Sequence, residues 1–312
     1  MTGRAKGIAS SWTLASLAVA LAAGCTGEQA AGTGDLTVAV NGGAAVRDGF
    51  PYDEGGSRFA FVDGWTLSYT AYVVAVGNLR LTDPEDGSET AAWTGHAAMD
   101  LRKDPAASVD LATLAGLPAL RQDFGFDIVP VSATTENRNV EPTNFEEMQR
   151  EGWSLLAAGT ATHPVQGTVR FRFGLPIRSR YSTCINGVDR TQGVAVAADS
   201  VTGVFIYAHA IHMFWDTLAT GDEDLRFDAF AAMHGADDLV TAQELLGQDL
   251  NDLLDADGEP LRDGTTGRRI FYNDGGRLPP GEQTLYHFVL EAMRQSAHFN
   301  GVGLCTHHIL DS

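Results

Sequence analysis

Residues 65–82 read WTLSYTAYVVAVGNLRLT, and the alternation of side chains in this stretch decides the fold class. From residue 65 to residue 71 the odd positions are apolar and the even positions carry small hydroxyl side chains. Successive side chains of a β-strand point to opposite faces of the sheet, so a period of two predicts a strand with one buried face. From residue 72 to residue 76 both faces are apolar, which predicts that the strand is central in its sheet.

Other strands are predicted on both sides of this one. The same period of two recurs at 123–128 and at 169–175. Turn-forming Gly, Pro, Asn and Asp residues separate these short segments, and no helical periodicity is evident between them. Further strands are predicted at 36–40, 193–198 and 201–207. We therefore expect residues 36–218 to form a mainly β domain, a two-layer antiparallel β-sandwich.

The last third of the chain has helical periodicity instead. Residues 282–299 place apolar side chains at i, i+3, i+4, i+7 and i+8, which predicts an amphipathic helix. Its opposite face, which includes His298, is expected to face solvent. Shorter helices are predicted at 227–234 and 241–250. Residues 219–312 are thus expected to be an α-helical C-terminal segment appended to the sandwich and packed on it.

The N-terminus has the composition of an export signal. Arg4 and Lys6 precede an apolar run at 12–23, which is too short to cross a hydrocarbon core of ~30 Å and is typical of a secretory signal. The run ends in Leu-Ala-Ala-Gly-Cys, the pattern of a bacterial lipobox, whose cysteine is acylated and becomes the new N-terminus. We therefore expect a lipoprotein signal peptide at 1–24 and a lipid, with palmitate among its chains, on Cys25. An ordinary signal peptide with an incidental cysteine is the alternative.

Small polar residues follow the lipidation site. They predict a flexible tether at 25–35 between the lipid and the folded domain. Several acyl chains on one cysteine anchor a protein firmly to a bilayer. Thr26 stands where aspartate would retain a lipoprotein at the inner membrane, so the outer membrane is favoured. The sequence thus predicts a cell-envelope protein held on the membrane by its N-terminal lipid anchor.

The chain is strongly acidic, with 40 Asp and Glu residues against 21 Lys and Arg residues and a formal net charge of −19. No cluster of basic residues interrupts this composition. Nucleic acid is therefore excluded as an expected partner, because phosphate binding needs clustered Lys and Arg. A divalent metal or a cation-rich partner fits the charge better, while protein partners stay unknown.

Two cysteines remain after lipidation, Cys184 and Cys305. In an oxidising compartment a disulfide is their simplest state. Closing a loop of this length would contribute roughly 4–5 kcal/mol in the chain-entropy model. The alternative is a metal site that combines Cys305 with His307 or His308.

Residues 207–216 read YAHAIHMFWD, with two histidines and one acid in an apolar run. On a helix His209, His212 and Asp216 share one face, and on a strand the two histidines point to opposite faces. A strand that turns at His209 could also bring them together. Two imidazoles and a carboxylate suit zinc, copper or iron, with His234 or the histidines near the C-terminus as further ligands. The alternative is a pair of histidines hydrogen-bonded within the fold.

Sequence patterns typical of catalysis are absent: the chain has no G-x-S-x-G, no H-E-x-x-H and no phosphate-binding glycine loop. This favours a binding or structural role over catalysis. The sharper hypothesis is a lipid-anchored envelope protein that binds a divalent metal. A metal-dependent envelope enzyme that uses the same His/Asp cluster is the alternative.

Four segments resemble, in the same order, a family of uncharacterised secreted lipoproteins of Gram-negative bacteria. They are FVDGWTLSYTAYVVAVGNLRL at 61–81, HAIHMFWDTL at 209–218, DDLVTAQEL at 237–245 and HFNGVGLC at 298–305. The likeness covers most of the mature chain and implies no biochemical activity. Members more often have His-Gly-Asp-His at 209–212 and a histidine at the position of Leu304, so the resemblance implies fewer polar metal ligands in this chain.

Overall fold

The computed structural model describes residues 32–104, 106–219, 223–264 and 266–310. The predicted signal peptide at 1–24, the lipidation site Cys25 and most of the predicted tether lie outside these residues. Among the described residues, no helix has both the length and the apolar character needed to cross a bilayer.

The described residues form sixteen β-strands, four α-helices and two 3₁₀ helices. The strands are β1 Thr33–Asn41, β2 Tyr52–Glu54, β3 Ser57–Phe59, β4 Thr66–Thr82, β5 Glu89–Asp100, β6 Ser108–Pro118, β7 Arg121–Ile128, β8 Glu136–Asn137, β9 Leu155–His163, β10 Gly167–Leu175, β11 Ser179–Ser182, β12 Val194–Ala195, β13 Val201–Ala208, β14 Leu239–Thr241, β15 Ala297–Phe299 and β16 Thr306–Ile309. The helices are α1 Gly43–Asp48, α2 Pro142–Glu151, α3 Asp228–Ala231 and α4 Leu285–Arg294, and the 3₁₀ helices are Ala210–Phe214 and Glu244–Gly247.

Two sheets contain nearly all of these strands. The small sheet has the order β15-β13-β1-β6, and the large sheet has the main path β14-β10-β9-β4-β7-β11-β16, with β5, β8 and β12 attached beside it. One hydrophobic core joins the two sheets. Phe124 of β7 stacks on Phe299 of β15 within it, with 4.5 Å between the ring centroids. The prediction of a mainly β fold with packed sheets is confirmed.

The strand predicted from the alternating stretch is β4, and it is central as expected. Its first half pairs with β9, and its second half pairs with β5 on one edge and β7 on the other. The side chains from Tyr72 to Val76 are all fully buried, because both faces of the strand are covered there.

The sheets are mixed, whereas the sequence predicted antiparallel ones. The pairs β1–β13, β10–β14 and β5–β8 are parallel. Strand β1 lies between β13 and β6, and Val38 pairs with Val204 on one side and Ala112 on the other. It begins at Thr33, so the last residues of the predicted tether belong to the small sheet. Alternation reports which face of a strand is buried but not the direction of its neighbour, which explains the difference.

The C-terminal segment is less helical than predicted. The helix expected at 282–299 is α4, which ends at Arg294, and the chain then extends into β15. The other two predicted helices shorten to α3 and to the 3₁₀ helix Glu244–Gly247. Strands β14 and β16 of this segment join the large sheet and β15 joins the small one, so the segment is part of the sandwich. Helix α2, inside the predicted β domain, was not expected.

A disulfide joins Cys184 to Cys305, with an S–S distance of 2.00 Å. It links the chain just after β11 to the residue just before β16. Beside it the amide of Ile185 donates to the carbonyl of Leu304 at 2.8 Å. The predicted pairing is confirmed, and it removes the thiolate that a site of Cys305 with His307 or His308 would need.

Candidate functional site

The end of β13 brings His209 and His212 together. His209 is extended and is the residue before the 3₁₀ helix Ala210–Phe214, which contains His212. A 3₁₀ helix has three residues per turn, so side chains at i and i+3 eclipse. The two imidazole rings accordingly lie nearly parallel, with 5.9 Å between their centroids.

A third histidine, His298, completes the group. Strand β15 pairs His298 with Tyr207 of β13, next to the start of the 3₁₀ helix. The ring of His298 lies 4.6 Å from that of His209 and 5.3 Å from that of His212, between centroids. We call these three residues, His209, His212 and His298, the histidine cluster.

Burial keeps the histidine cluster neutral at physiological pH. His212 is only 5% exposed, and burial lowers its pKa well below the usual value, with further contributions from His298 and His209. Burial, together with His209, lowers the pKa of His298 to about 4. The pKa of His209 is lowered as well, again chiefly by burial. Uncharged imidazole is the form that can bind a metal or accept a proton.

One side of each imidazole in the histidine cluster is left without a protein partner. Nε2 of His209 donates to the carbonyl of Gly301 at 3.1 Å, which fixes the tautomer with a free Nδ1. The Nδ1 atoms of His212 and His298 are buried, and no described residue forms a hydrogen bond with them. Buried polar atoms are usually paired, so these orphan nitrogen atoms need an explanation.

A cavity of about 380 Å³ lies against the histidine cluster. Its walls include His212 and His298, together with Trp215, Leu218, Tyr181 and His307. The Trp215 ring stacks on the ring of His212 with 3.7 Å between centroids. We call this space the histidine cavity. Small-molecule sites commonly have this combination of apolar walls and a few polar atoms.

Asp216 does not join the two histidines beside it in sequence. The 3₁₀ helix ends at Phe214 and Trp215 is extended, so the helical spacing that would align Asp216 with His212 is lost. Its carboxylate instead accepts a hydrogen bond from Arg226 at 3.0 Å and one from the backbone of Asp224 at 3.1 Å. Asp216 is thus engaged in an ion pair with Arg226, away from the imidazoles.

His234 lies at a different place in the fold. Its Nδ1 bonds to the carbonyl of Ala231 at 2.5 Å, and it lines a separate cavity of about 620 Å³ with Trp65 and Asp228. Near the C-terminus, His307 lines the histidine cavity and bonds to Ser179, whereas His308 is exposed.

Within the four described ranges, no group of three or more His, Cys, Asp or Glu side chains is arranged to hold a metal ion. The three rings of the histidine cluster lie close together, but contacts within the protein, and not a metal ion, set the orientation of the rings. One such contact is the bond from His209 to Gly301.

Sequence reasoning missed His298, because the predicted helix ran to residue 299 and put this residue on its solvent face. A local signal was present. Ala297, His298 and Phe299 alternate between apolar and polar, and an Asn-Gly pair follows, which is typical of a strand that ends in a tight turn.

Comparison of the chain with models of protein families, with curated proteins and with solved structures finds no match. The resemblance to secreted lipoproteins therefore stays a prediction, and the function of this chain has to be inferred from the geometry of the histidine cluster and from the sequence.

Proposed function

We propose that this protein is a lipid-anchored component of the bacterial cell envelope that binds a divalent transition metal through His209, His212 and His298. The observation that carries the proposal is the convergence of three neutral imidazole rings, one buried and two half-buried, at centroid distances of 4.6, 5.3 and 5.9 Å. His298 takes the place in this site that the sequence had given to Asp216 and His234.

The spacing of the rings fits a shared metal ion. With zinc–nitrogen bonds of about 2.0–2.1 Å and tetrahedral angles, the centres of imidazole rings that share one ion lie roughly 5 Å apart. The three distances in the histidine cluster bracket this value. Metal binding would therefore need rotation of the rings about their side-chain bonds but little movement of the backbone.

The hydrogen bonds of the cluster support the same function. In metal sites the second nitrogen of a ligating histidine usually donates to a carbonyl or carboxylate, which orients the ring. The bond from Nε2 of His209 to Gly301 is of this kind and leaves Nδ1 for the metal. The orphan Nδ1 atoms of His212 and His298 would also gain a partner.

The histidine cavity favours a second candidate function, a metal-dependent envelope enzyme. Three protein ligands leave a fourth position on a tetrahedral ion, which a water or a substrate can occupy. Because His212 and His298 line the cavity, that position would be reachable from it. Turnover of a substrate would be the evidence that separates an enzyme from a metal carrier.

Zinc binding by the purified full chain tests the proposal. We expect the wild type to bind about one zinc ion per chain, and His298→Ala to weaken binding at least tenfold because one of three ligands is lost. His234→Ala is the matched control, since His234 lies in the other cavity. Isothermal titration and elemental analysis after dialysis would measure both. Equal zinc content in wild type and His298→Ala would contradict a zinc site at the histidine cluster.

The proposed location of the protein in the cell envelope can be tested separately. We expect labelled palmitate to be incorporated into the wild type and not into Cys25→Ser, and the wild type to fractionate with the outer membrane. A Cys25→Ser chain that still carries label would contradict lipidation at this residue.

A further inference from the structure

We propose that the histidine cavity binds a small aromatic carboxylate, with the carboxylate at Arg277 and the flat apolar part against Trp215. This inference rests on the proposed function in that the same two histidines, His212 and His298, would hold the metal at the inner wall. Neither the fold nor the metal identifies the class of ligand that this cavity would bind.

The size and walls of the cavity set the shape of the ligand. Its volume of about 380 Å³ is near the lower end of the ~300–1,000 Å³ range of small-molecule sites, which excludes large ligands. Apolar walls come from Trp215, Leu218 and Leu304, and Cys305 also lines the cavity. The indole of Trp215 stacks on His212, which holds it in place. A fixed aromatic face favours a flat ligand that can stack against it.

Arg277 gives the cavity its preference for an anion. Its Nη1 donates to the amide oxygen of Gln295, and no carboxylate of a described residue lies within ion-pair distance of its guanidinium. A planar guanidinium suits a carboxylate, since it can donate two parallel hydrogen bonds to it.

The charge of Arg277 reaches the wall of the cavity. Burial is the main cause that lowers the pKa of His307, and Glu291 opposes it. The positive charges of Arg294 and Arg277 and the neighbouring His308 lower this pKa further, with Arg277 contributing least. The acidic side chain among the described lining residues, Glu223, is exposed, so water screens its charge. Arg277 is the one cationic side chain among the described residues that line the cavity, so it is the group placed to pair with an anionic ligand.

Benzoate, benzamide and acetate are suitable probes, because they separate the charge of the ligand from its aromatic ring. We expect the purified full chain to bind benzoate more tightly than either of the other two. Arg277→Gln should weaken benzoate binding about fivefold to tenfold, through loss of a charge-assisted bond at an exposed position. Arg268→Gln removes another exposed arginine and should leave the affinity unchanged. Glu223→Gln should strengthen binding or leave it unchanged.

Titration calorimetry with metal-free and zinc-loaded protein would test this. Benzoate binding that depends on Arg277 in metal-free protein supports the inference even if zinc does not bind, so it can stand when the proposed function fails. Zinc binding without measurable benzoate binding in either form overturns it and leaves the metal site intact. Equal affinities for benzoate and benzamide, or weaker binding in Glu223→Gln, would also overturn it.

Discussion

Asp63 is a carboxylate that the fold places beside a second one, Asp228. Its Oδ2 accepts hydrogen bonds from the backbone amides of Phe227 at 2.6 Å and Asp228 at 2.9 Å. Its Oδ1 is buried and has no partner among the described residues. Burial, and then the charge of Asp228, raise the pKa of Asp63 to about 6. The folded protein therefore holds a proton here more tightly than the unfolded chain does.

The raised pKa of Asp63 predicts a loss of folding stability that depends on pH. As the pH rises from the usual carboxyl range through about 6, the folded state must give up this proton, and stability falls across that window. Asp63→Asn removes the ionisation and keeps an oxygen that can accept the amide bonds. We expect it to raise the free energy of unfolding by about 1–2 kcal/mol more at pH 7.5 than at pH 4.5.

Urea unfolding at the two pH values measures this effect. Asp110→Asn is the control, since it makes the same substitution at an exposed position. If Asp63→Asn raises the free energy of unfolding equally at both pH values, the pKa of Asp63 is not raised in the folded state.

Among the turns between elements, the one after α1 depends on a glycine. Gly49 has a φ of +76°, and a Cβ at this position would lie 2.0 Å from the carbonyl oxygen of Leu67. The same carbonyl accepts the amide of Phe50 at 2.7 Å, so it cannot move away without breaking that bond. The close approach of the chain to β4 is therefore possible only without a side chain.

Gly49→Ala should lower the free energy of unfolding by more than about 2 kcal/mol, because backbone strain and a steric clash add. Gly56 is the matched control. Its φ is also positive, +83°, but a Cβ added at Gly56 would have no atom within 4 Å, so Gly56→Ala should cost only about 1 kcal/mol. Thermal unfolding of both variants gives the comparison, and similar losses would mean that the clash is relieved.

Elements with a strong local pattern were predictable from sequence. Strand β4 was found because its alternation is strict, whereas α2 was missed although Pro142 in its first turn and the left-handed Gly152 at its end are helix boundary signals. Helix α4 was predicted too long because apolar residues continue through β15, and periodicity does not show where a helix passes into a strand.

The candidate site was predictable only where its residues are neighbours in the chain. His209 and His212 could be paired because a turn at the end of a strand brings positions i and i+3 together. His298 reaches them through the pairing of β13 with β15, which no local pattern reports. Asp216 was assigned to the site on helical spacing, and the extended backbone at Trp215 turns the chain away instead.

At the scale of the whole molecule, the disulfide joins two distant parts of the chain. Cys184 and Cys305 are 121 residues apart, so their bond restricts a large part of the unfolded chain. Replacing both by alanine should lower the free energy of unfolding by about 4 kcal/mol. Unfolding of the double variant and of the wild type, each with and without reductant, measures the loss. Reductant should affect the wild type alone, and an unchanged wild-type midpoint would contradict a stabilising role.

The position of β1 in the small sheet affects when the chain can complete its fold. Its residues pair with β6 on one edge and with β13 on the other, so Asp35 meets Val201 only after more than half of the chain is available. Because the partner of this strand lies so far along the sequence, the two strands pair late and folding is slow. In the export that we propose, which begins at the amino end, this delay would keep the polypeptide unfolded until its later portion has crossed the membrane.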